Sequence, residues 1–347
     1  MLFYKKFSNI DLNDVFFDSL KQDYAEFPNW FKRKSEEGAL AYVFESQGIQ
    51  GFLYLKIENE EVTDILPALP SKDRIKVGTF KVNPHGTRLG ERFLKKIFDY
   101  AVIKNIDEIY VTIFDKHEGL LALFQRFGFD VYGSKTTQNG VESVLIKQIG
   151  IIKDSISTSY PIIKKTGTNK FVLSIYPNFH SRLFPDSILN NENYDLIKDV
   201  SHTNSIYKTY ICYMDLSPLR TGDNIVIYRT TDHQGPATYR SVASSVCVVE
   251  DIKTKASFAN IDEYLKFCKD YSVFSEDELR GFYARRGANF YVLKMTYNAA
   301  FKRRIIRKQL IEDVGISPDI YWGFFKLSES QFKRILELGE VDVNIIV

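Results

Sequence analysis

Val82-Asn83-Pro84-His85-Gly86-Thr87-Arg88-Leu89-Gly90-Glu91 is the stretch on which the reading of the first half of this chain turns. Residues 74–82 before it read as a strand, and Pro84 stops that strand because proline removes a backbone donor. After it, Phe93, Leu94, Ile97, Phe98 and Ala101 fall at helical spacing, so a helix is predicted over 91–103. A strand, a glycine-bearing loop and a helix N-terminus thus follow one another. Such a terminus exposes unsatisfied N–H groups with partial positive charge, and Gly86 and Gly90 permit close backbone approach, so the loop suits a pyrophosphate. A plain tight turn would use the same two glycines, and the surrounding elements have to decide.

Working outward, residues 11–20 and 30–37 read as helices. Strands are predicted over 39–44 and 51–57, joined at Ser46, Gln47 and Gly48 as a hairpin. A strand over 109–114, a helix over 118–127, and a strand beginning at Phe129 that pairs with 142–147 complete a mixed α/β pattern.

Together these residues resemble the GNAT family of acetyl-coenzyme A dependent N-acetyltransferases. That family's loop is usually Arg or Gln, two residues, Gly, one residue, Gly or Ala, preceded by valine-x-proline; Val82-Asn83-Pro84 and Gly90 match it. The later Tyr-x-x-x-Gly-Phe motif is present as Phe124-Gln125-Arg126-Phe127-Gly128-Phe129. The resemblance implies a GNAT α/β fold over residues 1–150, with a mixed, mostly antiparallel sheet and flanking helices. It also implies acetyl-CoA as acyl donor to an amine, held by Phe80, Val82, His85, Gly86, Thr87, Arg88, Leu89 and Gly90. Departures bear on chemistry. His85 stands where Arg or Gln is usual, Arg88 replaces the middle glycine, and Phe124 has no hydroxyl to protonate a departing thiolate. His117 occupies the place where an asparagine commonly begins the helix, and it is either a proton donor or a solvent-facing residue. Residues 74–82 carry no glutamate, so Glu142 or a water relay would have to deprotonate the amine, with orientation supplying much of the rate.

Residues 151–169 lack a clean period and are expected to form a linker. Beyond them, over 170–347, β-like runs at 171–175, 207–214, 224–228, 244–250 and 290–295 are separated by helical pieces at 261–269 and 276–285. This order suggests a small β-barrel with helices outside. The unit 206–229, including Leu219-Arg220-Thr221-Gly222-Asp223-Asn224, looks like the ASCH or EVE branches of the PUA-like superfamily, though the Gly-x-Lys-x-x-Glu-x-Arg run of many ASCH members is not found. The resemblance implies an α+β domain associated with RNA or modified bases. Lys302, Arg303, Arg304, Arg307 and Lys308 are candidates for phosphate contact or, alternatively, a solvated helix face. Tyr176, His180 and Arg182, with Tyr228, Arg229 and Trp322, are candidates for holding a splayed base.

With 347 residues the chain accommodates two domains, and 46 Lys and Arg against 44 Asp and Glu give it no whole-molecule attraction to nucleic acid or membrane. No run of 18 apolar residues is present and the first residues lack signal-peptide order, so a cytoplasmic location is expected. Cys212, Cys247 and Cys268 have no metal-site spacing and read as reduced thiols, with no metal expected. Two functions are therefore open: an N-acetyltransferase whose second domain recruits RNA or another nucleic acid, and a weak or inactive CoA-binding regulator with a nucleic-acid-binding module, for which a toxin–antitoxin or defence setting is one context.

Overall fold

The structure, a computed structural model, describes residues 1–83, 88–184, 205–269, 271–285 and 289–347. It divides into two compact units, one holding Met1–Ile149 and the other beginning at Gly150.

The first unit is built on seven strands: β1 (Leu2–Lys6), β2 (Leu40–Glu45), β3 (Ile49–Glu58), β4 (Arg74–Val82), β5 (Glu108–Phe114), β6 (Asp130–Thr137) and β7 (Gly140–Gln148). They lie in the order β1-β2-β3-β4-β5-β7-β6, and β4 with β5 is the parallel pair in an otherwise antiparallel sheet. Helices α1 (Asp18–Asp23) and α2 (Phe27–Glu36) cover one face, and α3 (Leu89–Lys104) and α4 (Glu118–Arg126) cover the other. The helix expected over 11–20 starts late. Asp14 accepts a hydrogen bond from the Phe16 amide at 2.8 Å and sets up a 3-10 turn first.

Aromatic density has a direct use here. Phe7, Phe17 and Phe52 pack with Phe27 and Phe31 of α2, edge-to-face or tilted except for Phe17, which stacks on Phe27. On the other face Phe93, Leu94, Ile97, Phe98 and Ala101 are buried, as their spacing predicts. A Cβ on Gly51 would fall 2.8 Å from the Phe93 ring, so glycine is what lets α3 approach β3.

Two features of β4 prepare the site. At its start Arg74 is fully buried and donates from Nε to Glu108 Oε1 at 2.8 Å, pinning β4 to β5. Further along, Tyr54 pairs with Thr79 but Leu55 pairs with Val77, leaving Gly78 as an extra residue. A bulge bends its strand. The parallel ladder accordingly runs only from Ile75–Ile109 to Val77–Val111 and then stops.

The second unit has β8 (Lys170–Ile175), β9 (Tyr207–Cys212), β10 (Asn224–Arg229), β11 (Val242–Thr254), β12 (Tyr291–Ile306) and β13 (Phe324–Lys326), in the order β13-β8-β10-β11-β12-β9. Three register shifts between β11 and β12 bend the sheet, and among the described residues no ladder joins its edges β13 and β9. Around it lie α5 (Ile156–Ser159), α6 (Pro177–Leu183), α7 (Ala237–Arg240), α8 (Ile261–Lys269), α9 (Glu276–Ala284), α10 (Arg307–Glu312) and α11 (Glu329–Leu338). The fold class is the expected one, a mixed α/β unit followed by an α+β unit.

The linker expectation needs correcting. Residues 151–169 contain α5, opened by a Ser155–Thr158 capping box. Ser157 shares a hydrogen bond with the Tyr207 hydroxyl at 2.5 Å, and Tyr160 donates to the Tyr297 carbonyl at 2.8 Å. Tyr160, Ile162 and Ile163 are buried, so this segment is part of the second unit. The three cysteines are free and buried, as expected of core thiols.

Candidate active site

Where the β4–β5 ladder stops, a notch opens in the sheet. Residues 79–82 of β4 pair only with β3, and residues 112–114 of β5 pair only with β7. Among the described residues the backbone groups facing across the notch therefore have no strand partner, and an extended polyamide chain is the natural complement. Phe80 turns away from it, packing edge-on against Phe93 and Phe124 at 5.8 and 5.3 Å, so its side chain serves the α3–α4 interface. Val82 ends β4 and is half-buried.

The N-terminus of α3 follows in sequence. Pro84 and the expected ligands His85, Gly86 and Thr87 lie outside the described residues. Arg88 is the N-cap of α3 and has φ +56°, the left-handed conformation that favours glycine, at the position where the family pattern has glycine. Arg88→Gly is therefore expected to stabilise the first unit by about 0.5–1 kcal/mol, readable as a rise in its urea midpoint; a fall would show that the Arg88 side chain outweighs the strain. Leu89 is buried against Gly51, and a Cβ on Gly90 would meet Leu123 at 2.8 Å. Gly90 thus brings α3 close to α4 as well as clearing the helix end. Two guanidinium groups stand there: Arg126 donates to the buried Glu91 at 2.8 Å, and Arg88 lies 3.7 Å from the same oxygen.

The opposite face of the notch is lined from α1. Lys81 donates to the Phe16 carbonyl and to Ser19 Oγ, and burial lowers its pKa. Beside it, at the end of β4, is a cleft of about 440 Å³ whose polar lining includes Asn13, Asp14, Gln47, Gln50 and Asn83. Glu142, only 3% exposed on β7, accepts a hydrogen bond from the Tyr24 hydroxyl at 2.7 Å. Burial and then this carboxylate raise the Tyr24 pKa strongly, so the tyrosine stays protonated. Tyr24 stacks on Phe114 at 5.1 Å, and Phe114 is ladder partner to Glu142. His117 is the N-cap of α4, with its side chain 43% exposed and Nε2 placed 3.2 Å from Asp23 Oδ2. His117 and Glu142 therefore reach one locus, through Phe114 and the Asp23-Tyr24 dipeptide. No local pattern marks Asp23 or Tyr24 as part of it, because Glu142 is 118 positions from the tyrosine that holds it.

In the second unit the expected base-binding set separates. Tyr176 is the extended N-cap of α6, and the helix that follows sends the side chains of His180 and Arg182 in different directions. Tyr176 is 64% exposed, whereas His180 is 2% exposed and shares a hydrogen bond with Ser244 Oγ at 2.7 Å. Burial, then Arg229 and Arg304, lower the His180 pKa to about 3, so it is a neutral core residue and not a surface contact. Arg182 is tied to Glu278 at 3.3 Å. Tyr228 is buried under Trp322.

The basic run is not one helix face either. Lys302, Arg303 and Arg304 continue β12, so they alternate sides, while Arg307 and Lys308 open α10. Lys302 pairs with Asp342, Arg307 lies over Trp322 at 4.4 Å, and Lys308 lies 5.9 Å from the Tyr239 ring and 3.9 Å from Glu312. Tyr239 beside Lys308, and Tyr321 next to Trp322 in sequence, are both well exposed.

Among the described residues no group of three or more His, Cys, Asp or Glu side chains is arranged to hold a metal, and no helix is long and apolar enough to cross a membrane. No protein-family model and no curated protein matches the chain. Solved structures to which it is similar include both kinds of fold. ASCH from Zymomonas mobilis is 14% identical over 49% of this chain and 94% of its own, with TM-score 0.33. An N-acetyltransferase from Staphylococcus aureus Mu50 is 14% identical over 43% and 97%, with TM-score 0.31. A ribosomal-protein-alanine N-acetyltransferase from Brucella melitensis is 11% identical over 43% and 99%, with TM-score 0.33.

Proposed function

We propose that the first unit transfers an acetyl group from acetyl-CoA to an amine. The observation that carries this reading is the notch between β4 and β5 leading to the N-terminus of α3 with Arg88 and Arg126 beside it. The unpaired strand edges suit the amides of the pantetheine arm, and the helix end with its two cations suits a diphosphate. When bound, acetyl-CoA supplies a thioester carbonyl to the attacking amine. Glu142 accepts the proton that the nitrogen releases as the C–N bond forms, and His117 gives a proton to sulfur as the C–S bond breaks. Phe124 cannot do the latter, which is why the role falls to His117. Incubating the full chain with labelled acetyl-CoA and a mixture of cellular protein and RNA, followed by mass analysis of both, tests the reading. Acetylated product supports it; cofactor binding without any product supports the alternative of a CoA-binding regulator, which the missing hydroxyl at Phe124 favours.

The second unit, in this proposal, recruits RNA or another nucleic acid. Its support is the surface where Tyr239, Tyr321 and Trp322 stand with Arg307 and Lys308, a mixture of stacking planes and cations. Changing Arg303, Arg307 and Lys308 together to Gln should weaken retention of mixed RNA and lower the salt slope by about 0.7–0.9 for each phosphate no longer neutralised, with acetyl-CoA affinity unchanged. Filter binding across a salt series measures this, and an unaltered slope would remove these residues from the interface.

A further inference from the structure

The two side chains assigned above to proton transfer come from distant parts of the chain, yet both are held by consecutive residues of one segment. We infer that Asp23-Tyr24, at the C-terminal end of α1, is a positioning pair for the acid–base chemistry, with Asp23 orienting His117 and Tyr24 orienting Glu142. This rests on the transferase reading of the first unit.

The geometry is specific. α1 ends at Asp23, and the chain leaves it at Tyr24 in an extended conformation (φ −134°, ψ 98°), so the two side chains diverge. Asp23 meets the segment before α4, where it pairs with Lys116 and with His117 Nε2 at 3.2 Å. A carboxylate only accepts, so Nε2 carries the hydrogen of that bond, and Nδ1 is the ring nitrogen that takes up and gives back a proton. Tyr24 crosses the Phe114 ring to β7 and donates to Glu142 Oε1, which leaves Oε2 to receive the proton from the amine. Lys81 on β4 is one charged group that interacts with Asp23. Lys116 faces Asp23, and Glu118 begins α4. Asp23 and Glu26 act on the Tyr24 hydroxyl. Lys135, ladder partner of Glu142 on β6, is held at 2.6 Å by Asp64. Asp115 is engaged by Ser143. α1 is also held to the sheet by Leu20, packed against the core, and by Ser19, which accepts from Lys81 of β4, while Asp23 and Tyr24 fix its C-terminal end.

The test uses the full chain, acetyl-CoA and a lysine-containing peptide with a free N-terminus, together with spermidine, and follows release of CoA as the acetyl-CoA concentration is varied. Tyr24→Phe should lower kcat about tenfold with KM for acetyl-CoA unchanged, because Glu142 loses the hydroxyl that holds its Oε1 in place. Asp23→Asn should lower kcat similarly, because the His117 ring loses the carboxylate that holds its Nε2–H. Asp23→Glu should restore part of the rate. Wild-type turnover that both variants keep, or a fall in kcat matched by a rise in KM for acetyl-CoA with no recovery in Asp23→Glu, would overturn the inference by reducing the pair to a structural tie. A wild-type chain that binds acetyl-CoA but releases none with either amine would instead overturn the transferase reading on which the pair depends.

Discussion

Glu142→Gln is expected to lower the rate of acetyl transfer by about 10²–10⁴-fold, the range that a positioned general base supplies. The substitution keeps the shape of the side chain and an oxygen for the Tyr24 hydroxyl, whose bond to Glu142 spans 2.7 Å in a buried setting. What it removes is the capacity to take a proton. Acetyl-CoA affinity should hardly change, because the notch and the α3 terminus are formed by β4, β5 and α3 and not by β7. Steady-state rates for the variant, set beside a calorimetric titration with acetyl-CoA, separate the two effects. A rate within threefold of wild type would transfer the base role to water, and a parallel loss of affinity would mean that Glu142 supports the fold of the notch.

The second large effect concerns stability. His180 has its pKa lowered from 6.5 to about 3 by burial, with Arg229 and Arg304 adding to the effect. Between those two values the unfolded chain binds a proton at this residue and the folded one does not. Stability must therefore fall as the pH drops through 6.5 towards 3, by up to about 1.4 kcal/mol per pH unit from this group alone. Above 6.5 the residue contributes no slope. His180→Gln, which keeps a hydrogen-bonding group near Ser244 Oγ, should flatten the dependence. Urea unfolding of the second unit at pH 7 and pH 4.5, in both proteins, gives the difference directly, and equal differences would mean that the imidazole charges within the folded state.

What is legible in the sequence depends on where the relevant information lies. The bounds of β4 are legible at both ends, because Arg74 begins a run of alternating residues and Pro84 closes it. The buried face of α3 is legible for the same local reason, a helical period unbroken from Phe93 to Ala101. The notch is not, since it arises from a single unpaired residue, Gly78, whose effect exists only once β3 is alongside. β1 escapes notice because its five residues end in two lysines, and the far half of β12 does so because Lys302, Arg303 and Arg304 mask the alternation that buries Phe301 and Ile305. Local pattern also misplaces His180: a stretch alternating aromatic and polar residues becomes a helix whose turn points the imidazole into the core. At the candidate site, His117 is reachable through motif position and Glu142 as a carboxylate on the closing strand when residues 74–82 offer none, whereas Asp23 and Tyr24 are visible only in three dimensions.

The central claim is that the α3 N-terminus receives the diphosphate of acetyl-CoA, and Gly90 is the position that tests it most directly. Calorimetric titration of acetyl-CoA into the full chain should give saturable binding with one site. Gly90→Ala carries the contact with Leu123 alone, where a Cβ would come within 2.8 Å, and should weaken binding modestly. Gly90→Asp adds a negative charge to the same contact, and should weaken binding by a further tenfold or more, with the gap between the two variants narrowing at high salt. Absence of binding to the wild-type chain, or equal affinity for Gly90→Ala and Gly90→Asp, would contradict the account.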